Sequence, residues 1–162
     1  MRGGLSAEYY NNRWLFGTPA FTRIDEVINF AWDSYITPTG QDYVSIRWTG
    51  FVQPPFTEVY NFTVLANDGV KLWIDGEVVI DDFTAEPASG TLASYSGLTS
   101  KPLVANRLYD FKMEYRENTG TAGIQLWWKS ASQSFSLVPS YRLFYDETDG
   151  VEASPYEVIP VG

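Results

Sequence analysis

The stretch Ala66-Asn67-Asp68-Gly69-Val70-Lys71-Leu72-Trp73-Ile74-Asp75-Gly76 constrains the fold more than any other part of the chain. Val70, Leu72 and Ile74 alternate with Lys71 and Trp73, the period of a half-buried strand. Asp75-Gly76 is a strong two-residue hairpin signal, and Glu77 to Ile80 supplies the return strand. Ahead of the hairpin, Asn67, Asp68 and Gly69 are residues that end strands and accept unusual backbone angles. The hairpin therefore carries a polar corner at its base.

The same period recurs along the chain. Ala7 to Tyr10 reads as a first strand closed by Asn11-Asn12. In Tyr43 to Phe51, Val44, Ile46 and Trp48 share a face, and Pro54-Pro55 then breaks the run because neither residue can donate to a ladder. Val59 to Ala66 places Tyr60, Phe62 and Val64 together; Arg107 to Arg116 does so with Tyr109, Phe111, Met113 and Tyr115. Ile124 to Lys129 adds Ile124, Leu126 and Trp128, and Phe135 to Tyr145 holds one short strand. Thr22 to Trp32 reads two ways: Ile24, Val27 and Ile28 have helical spacing, whereas the β-branched content suits a strand. Thr37 to Gln41 reads as a loop, and Asp81 to Lys101 as a long irregular connection around Tyr95. With no long amphipathic helix, these short strands predict an all-β protein, an antiparallel sandwich or barrel.

At 162 residues the chain is most economically one domain. An aromatic content of 17% suits a sheet protein or a surface that stacks on flat ligands. Absence of Cys and His removes the Ser-His-Asp and Cys-His constellations and the usual zinc or iron sites. Any bound metal must then take oxygen ligands, which favours calcium or magnesium. A net charge of −9 argues against nucleic acid, whose phosphates require a basic footprint. No apolar run is long enough for membrane insertion, and Met1-Arg-Gly-Gly4 is too short for a signal peptide, as expected of an excised module.

The corner admits a plain reading, an Asx turn with Gly69 after it. It also admits a metal site if a second oxygen-rich loop lies beside it. Arg116-Glu117-Asn118-Thr119-Gly120-Thr121-Ala122-Gly123 is that loop's candidate. Calcium takes about six to eight oxygens, which Asn67, Asp68, Asn118 and loop carbonyls would largely supply, leaving positions for adjacent sugar hydroxyls.

Leu5-Ser6-Ala7-Glu8-Tyr9-Tyr10, Ile28-Asn29-Phe30-Ala31-Trp32, Ser45-Ile46-Arg47-Trp48-Thr49-Gly50 and Asn67 to Gly76 occur in order, with Val79-Ile80-Asp81 and Gly120 to Trp127 after them. Together they resemble the PA-fourteen domain family, named after the anthrax protective antigen and found in fungal flocculation adhesins, glycosidases and bacterial surface proteins. The resemblance covers roughly 4–145, leaving 146–162 as an acidic, Pro-containing linker or tail. It implies a jelly-roll-like β-sandwich and, in many members, calcium-dependent carbohydrate binding. In those members two consecutive Asp residues joined by a cis peptide hold calcium, and a residue such as Asn on a second loop completes the site. The matching positions are Asn67, Asp68 and Asn118, so Asn stands where the first Asp is usual and one formal charge is lost.

The resemblance thus implies a non-catalytic, lectin-like module for a glycan or polysaccharide, tethered in a larger extracellular or cell-surface protein. Its carbohydrate site would comprise Asp68, Asn118, Gly120, Thr121 and Ala122. Trp127 and Tyr95 are aromatic candidates for the same site. Trp73 and Trp127 sit out of phase with the apolar faces of their strands, either as sugar platforms or under a covered second face. Phe83 is a further rim candidate. Asp81-Asp82 reads as a strand cap, Asn61-Phe62-Thr63 as a chance glycosylation match, and Asp146 to Gly150 as solvated tail. Two competing expectations remain: a structural or protein-interaction module without a sugar site, and a glycosidase using paired carboxylates, for which no acidic pair stands out.

Overall fold

Asp75 and Gly76 both take positive φ, 56° and 79°, as the two central residues of a type I′ hairpin turn must. The turn joins Gly69–Ile74 to Glu77–Asp82 as antiparallel partners, as their alternation predicts. The computed structural model describes residues 2–32, 36, 43–85, 92–117 and 122–146. In chain order its strands are β1 (Arg2–Gly3), β2 (Leu5–Tyr10), β3 (Phe21–Asp25), β4 (Asn29–Trp32), β5 (Val44–Val52), β6 (Asn61–Asn67), β7 (Gly69–Ile74) and β8 (Glu77–Asp82). They continue as β9 (Ala93–Leu98), β10 (Tyr109–Glu117), β11 (Ala122–Lys129), β12 (Ser136–Leu137) and β13 (Leu143–Tyr145), with a 3-10 turn at Ser140–Arg142.

Two antiparallel sheets face each other as a sandwich. The larger runs β1-β13-β5-β10-β7-β8, with β2 also on β5 and β3 on β2. The smaller runs β12-β11-β6-β9, with β4 also on β11. Register explains the alternation. Ala7, Trp48, Met113, Leu72 and Ile80 lie in one cross-strand row and are all buried. The next row, Glu8, Arg47, Glu114, Lys71 and Asp81, points outward and alternates in charge. From the smaller sheet, Phe62, Val64, Leu126 and Trp128 close the core. Burial of each such large side chain stabilises the fold by about 2 kcal/mol.

A buried carboxylate ties the larger sheet together. Asp25 accepts hydrogen bonds from the Tyr9 hydroxyl (2.6 Å), Trp48 Nε1 (2.9 Å) and Arg23 Nε (2.7 Å), which ties β2 and β3 to β5. A buried carboxylate with three donors and a cationic partner is a structural pin.

One open reading is decided for strands and one expectation needs correction. Thr22 to Trp32 forms no helix: it splits into β3 and β4, which belong to different sheets, and Ile28 between them is buried. The Asp81 to Lys101 connection contains β9, paired with β6 from Ala66↔Ala93 to Asn61↔Leu98. β9 lacks apolar alternation because a Cβ at Gly97 would lie 1.9 Å from the Val79 carbonyl oxygen, so backbone packs there instead of a side chain. The expected loop at Thr37 to Gln41 and most of the expected tail lie outside the described residues.

Candidate functional site at the sheet-crossing corner

Between β6 and β7 the chain passes from the smaller sheet to the larger with Asp68 as the sole intervening residue. Asn67 is opposite Gly123 on β11, and Gly69 is opposite Arg116 on β10. The Asp68 N–H donates to the Arg116 carbonyl at 3.2 Å, and the Asn67–Asp68 peptide is cis. Gly69 is required by proximity: a Cβ there would lie 1.8 Å from the Phe83 carbonyl oxygen. The corner is therefore a fixed junction of two sheets, held by backbone on both sides.

Asn67, Asp68 and Glu117 are all buried at this junction. β10 alternates until Tyr115, after which Arg116 and Glu117 are buried as well, so its last turn of sheet is covered on both faces. The Tyr115 hydroxyl donates to the Asn67 carbonyl. Burial, with the Glu117 and Asp68 carboxylates nearby, pushes the Tyr115 phenol well above its usual range, so it stays a donor at any ordinary pH. Tyr95 on β9 is shifted the same way, by burial first and then by Asp82 and Asp68, with Arg116 acting in opposition. The field of Asp68 thus reaches Tyr95.

Arg116 covers the outer side. Its Nε donates to the Phe83 carbonyl at 2.8 Å and its terminal nitrogen to that of Ala85 at 3.2 Å. Its guanidinium also lies 5.3 Å from the Trp14 ring centroid, and Arg13 lies over both Trp14 (5.5 Å) and Tyr43 (5.2 Å). Trp14 and Tyr43 are half exposed, at 53% and 50%, which makes them the accessible aromatic faces at this end. On β4, half-buried Trp32 stacks on Tyr115 at 6.2 Å and lies opposite Ala122.

The sequence-predicted residues divide clearly. Asn67, Asp68, Ala122 and Tyr95 gather at this end, though Ala122 is buried. Asn118, Gly120 and Thr121 lie outside the described residues, between the ends of β10 and β11. Trp127 is not at the corner. It lies five residues along β11 from Ala122, roughly 16 Å at strand rise, and stacks on Phe135 at 4.7 Å. Trp73 carries Lys112 (4.2 Å) and Lys71 (5.0 Å) over its ring on the outer face of the larger sheet. Asp81 and Asp82 are exposed, with Lys71 3.8 Å from Asp81. Arg116 and Glu117, expected at the start of the second loop, instead end β10, and neither Trp14 nor Tyr43 was singled out from the sequence; the available signal was the charged pair Arg116-Glu117 continuing a strand past its last aromatic.

Among the described residues no group of three or more acidic side chains is arranged to hold a metal. The corner's donor set is nonetheless all oxygen, from carboxylates at Asp68 and Glu117 and a carboxamide at Asn67, the chemistry that suits a hard cation.

The PA14 domain family model matches residues 1–140. Anti-sigma-I factor RsgI3 of Acetivibrio thermocellus is 39% identical over 144 residues, spanning 87% of this chain and 21% of the relative. A solved anti-sigma factor domain-containing protein from Clostridium clariflavum is 34% identical with a TM-score of 0.78, covering 90% of this chain and 48% of that one. The chain thus spans about a fifth to a half of these relatives. The PA14 sugar-binding domain from an RTX adhesin superposes with a TM-score of 0.73 over 90% of this chain and 100% of its own, and at 14% identity it shows a shared fold alone. The chain belongs to the PA14 domain family.

Proposed function

We propose that this domain is a non-catalytic carbohydrate-binding module that holds calcium at the 67–68 corner and binds saccharide hydroxyls through it. The observation that carries the reading is the burial of Asn67, Asp68 and Glu117 at one junction between sheets. Buried carboxylates favour positive charge nearby, and a divalent cation would be a compact addition to that of Arg116. Asp68 and Glu117 supply charge, Asn67 a neutral oxygen, and Asn118 with Gly120 and Thr121 the second loop. Tyr95, Trp32 and Trp14 stand at the same end as ring faces for sugar C–H groups. When bound, calcium supplies coordination positions for adjacent hydroxyls; the protein's own part is to fix the donors and shape the rim.

The module serves as the ligand-reading part of a larger extracellular or cell-surface chain. Similarity to anti-sigma factor proteins supports a parent in which saccharide binding is reported to a sigma factor. The test is a glycan and polysaccharide array read with calcium and with excess chelator, for the parent domain and Asp68→Ala. Signal lost on chelation and in the variant is the expected result. Glycan binding that ignores both would remove the corner from the function.

A second reading, a protein-interaction module, is favoured by Asn67 in place of an acidic residue and by the exposed Trp14 and Tyr43. It predicts silence on the array under both conditions.

A further inference from the structure

A cleft of about 350 Å³ lies at the other end of the sandwich, where Pro55 and Phe56 face β12 and the Ser140–Arg142 turn. Trp128, Gln133, Ser136, Tyr141 and Arg142 also line it. Trp128 is six residues along β11 from Ala122, so the cleft stands roughly 20 Å from the corner. Three observations give it the character of a site. First, Trp128 is 1% exposed, and among the described residues its indole Nε1–H has no hydrogen-bond partner. Buried donors are nearly always satisfied, so this one asks for an acceptor.

Second, the cleft's rim is aromatic and open. Tyr141 is 71% exposed and Phe56 40%, far more than aromatic side chains that only pack a core. Third, the polar groups are already held. Glu58 accepts from the Ser130 hydroxyl (2.5 Å), the Ser132 N–H (2.9 Å) and the Ser132 hydroxyl (2.5 Å), which fixes the turn carrying Gln133. Gln133 Nε2 donates to Ser136 Oγ at 3.3 Å, and Arg142 donates to Asn106 Oδ1 at 3.0 Å and Gln53 Oε1 at 3.3 Å. Such groups are placed before any ligand arrives.

We infer that this cleft is a second, metal-independent saccharide subsite, sized for one pyranose ring. Its apolar C–H face would lie on Tyr141, the more exposed of the two rings, and a hydroxyl or ring oxygen would accept from Trp128 Nε1–H. Indole and guanidinium are donors only, whereas Ser136 and Gln133 can also accept, so the cleft matches a ligand rich in hydroxyls. The inference shares its ligand class with the corner reading but uses none of its residues.

The test is NMR titration of the isotopically labelled domain with methyl glucoside, methyl galactoside, methyl mannoside, methyl xyloside and glucuronic acid, with calcium and again in excess chelator. The same titrations are run on Asp68→Ala and Tyr141→Ala. The expected result is a saturable shift of the Trp128 indole N–H resonance with at least one probe. That shift persists in chelator and in Asp68→Ala, and Tyr141→Ala weakens the affinity about tenfold. An indole resonance that no probe moves, or that moves equally in Tyr141→Ala, overturns the subsite. Binding seen only with calcium and lost in Asp68→Ala overturns it too while sustaining the corner. A chelator-resistant shift without any calcium-dependent binding keeps the cleft and removes the corner.

Discussion

Asn67 offers the corner a neutral oxygen where Asp68 and Glu117 offer carboxylates, all three being buried. Coordination strength for a hard cation rises with the charge of the ligand set. If the corner holds calcium as proposed, Asn67→Asp should tighten its binding roughly tenfold, read by calorimetric titration. A variant that binds calcium no better than the parent would show that this position does not face the ion. Gly69 makes a different prediction, because its Cβ position is occupied by the Phe83 carbonyl. Gly69→Ala should cost more than about 2 kcal/mol in urea unfolding, since backbone on both sides must shift. The place of Asn67 and Asp68 at a corner between strands was legible in the sequence because their residue types signal a turn. Glu117 was not, since a carboxylate ending a strand reads as solvated until its burial is seen. Trp127 failed for the converse reason: its phase says that it faces out, but not how far along the strand the site lies.

At the scale of strands, the outer row Glu8, Arg47, Glu114, Lys71, Asp81 joins five neighbours by alternating charge. Its tightest link is Arg47 Nε to Glu114 Oε2 at 2.9 Å, with Arg47 29% and Glu114 14% exposed. Lys71 to Asp81 at 3.8 Å is looser and more open to solvent, and it contributes little. Glu114→Lys places a third cation between Arg47 and Lys71. It should lower stability by about 1–2 kcal/mol at low ionic strength. Part of that loss should return in concentrated salt, and a loss indifferent to salt would mean packing rather than charge is responsible. Strands built on this alternation were all visible in the sequence. β9 was hidden because its outward Ser94 and Ser96 are small and its inward Gly97 meets the Val79 backbone instead of core, and β4 because four residues carry too little period to be told from a helix.

Across the whole molecule, Tyr9 and Tyr115 share a response to alkali. Burial lifts both phenols above the ordinary value of 10.0, with Asp25 reinforcing the effect at Tyr9 and Glu117 at Tyr115. A raised folded-state value means that the folded protein keeps its protons while the unfolded chain gives them up. Stability is therefore fully present below about pH 10 and declines as pH rises beyond it. Urea midpoints followed from neutral pH into that range should fall; a flat profile would mean that these hydroxyls are not buried in solution. The sandwich class was legible from the strands, but their division between sheets was not, because only tertiary contact decides that β6 and β7 part company at Asp68. The pairing of β1 with β13 bears on how such a module is carried. Arg2 lies opposite Tyr145 and Gly3 opposite Phe144, so the chain enters and leaves side by side, and β13 sits at the Val52 end of β5, away from the corner. A mechanical load applied through both of those strands would open their ladder one rung at a time, as a zipper opens, instead of shearing all rungs together. The corner, beside the Val44 end of β5, would keep its geometry while that ladder yielded first.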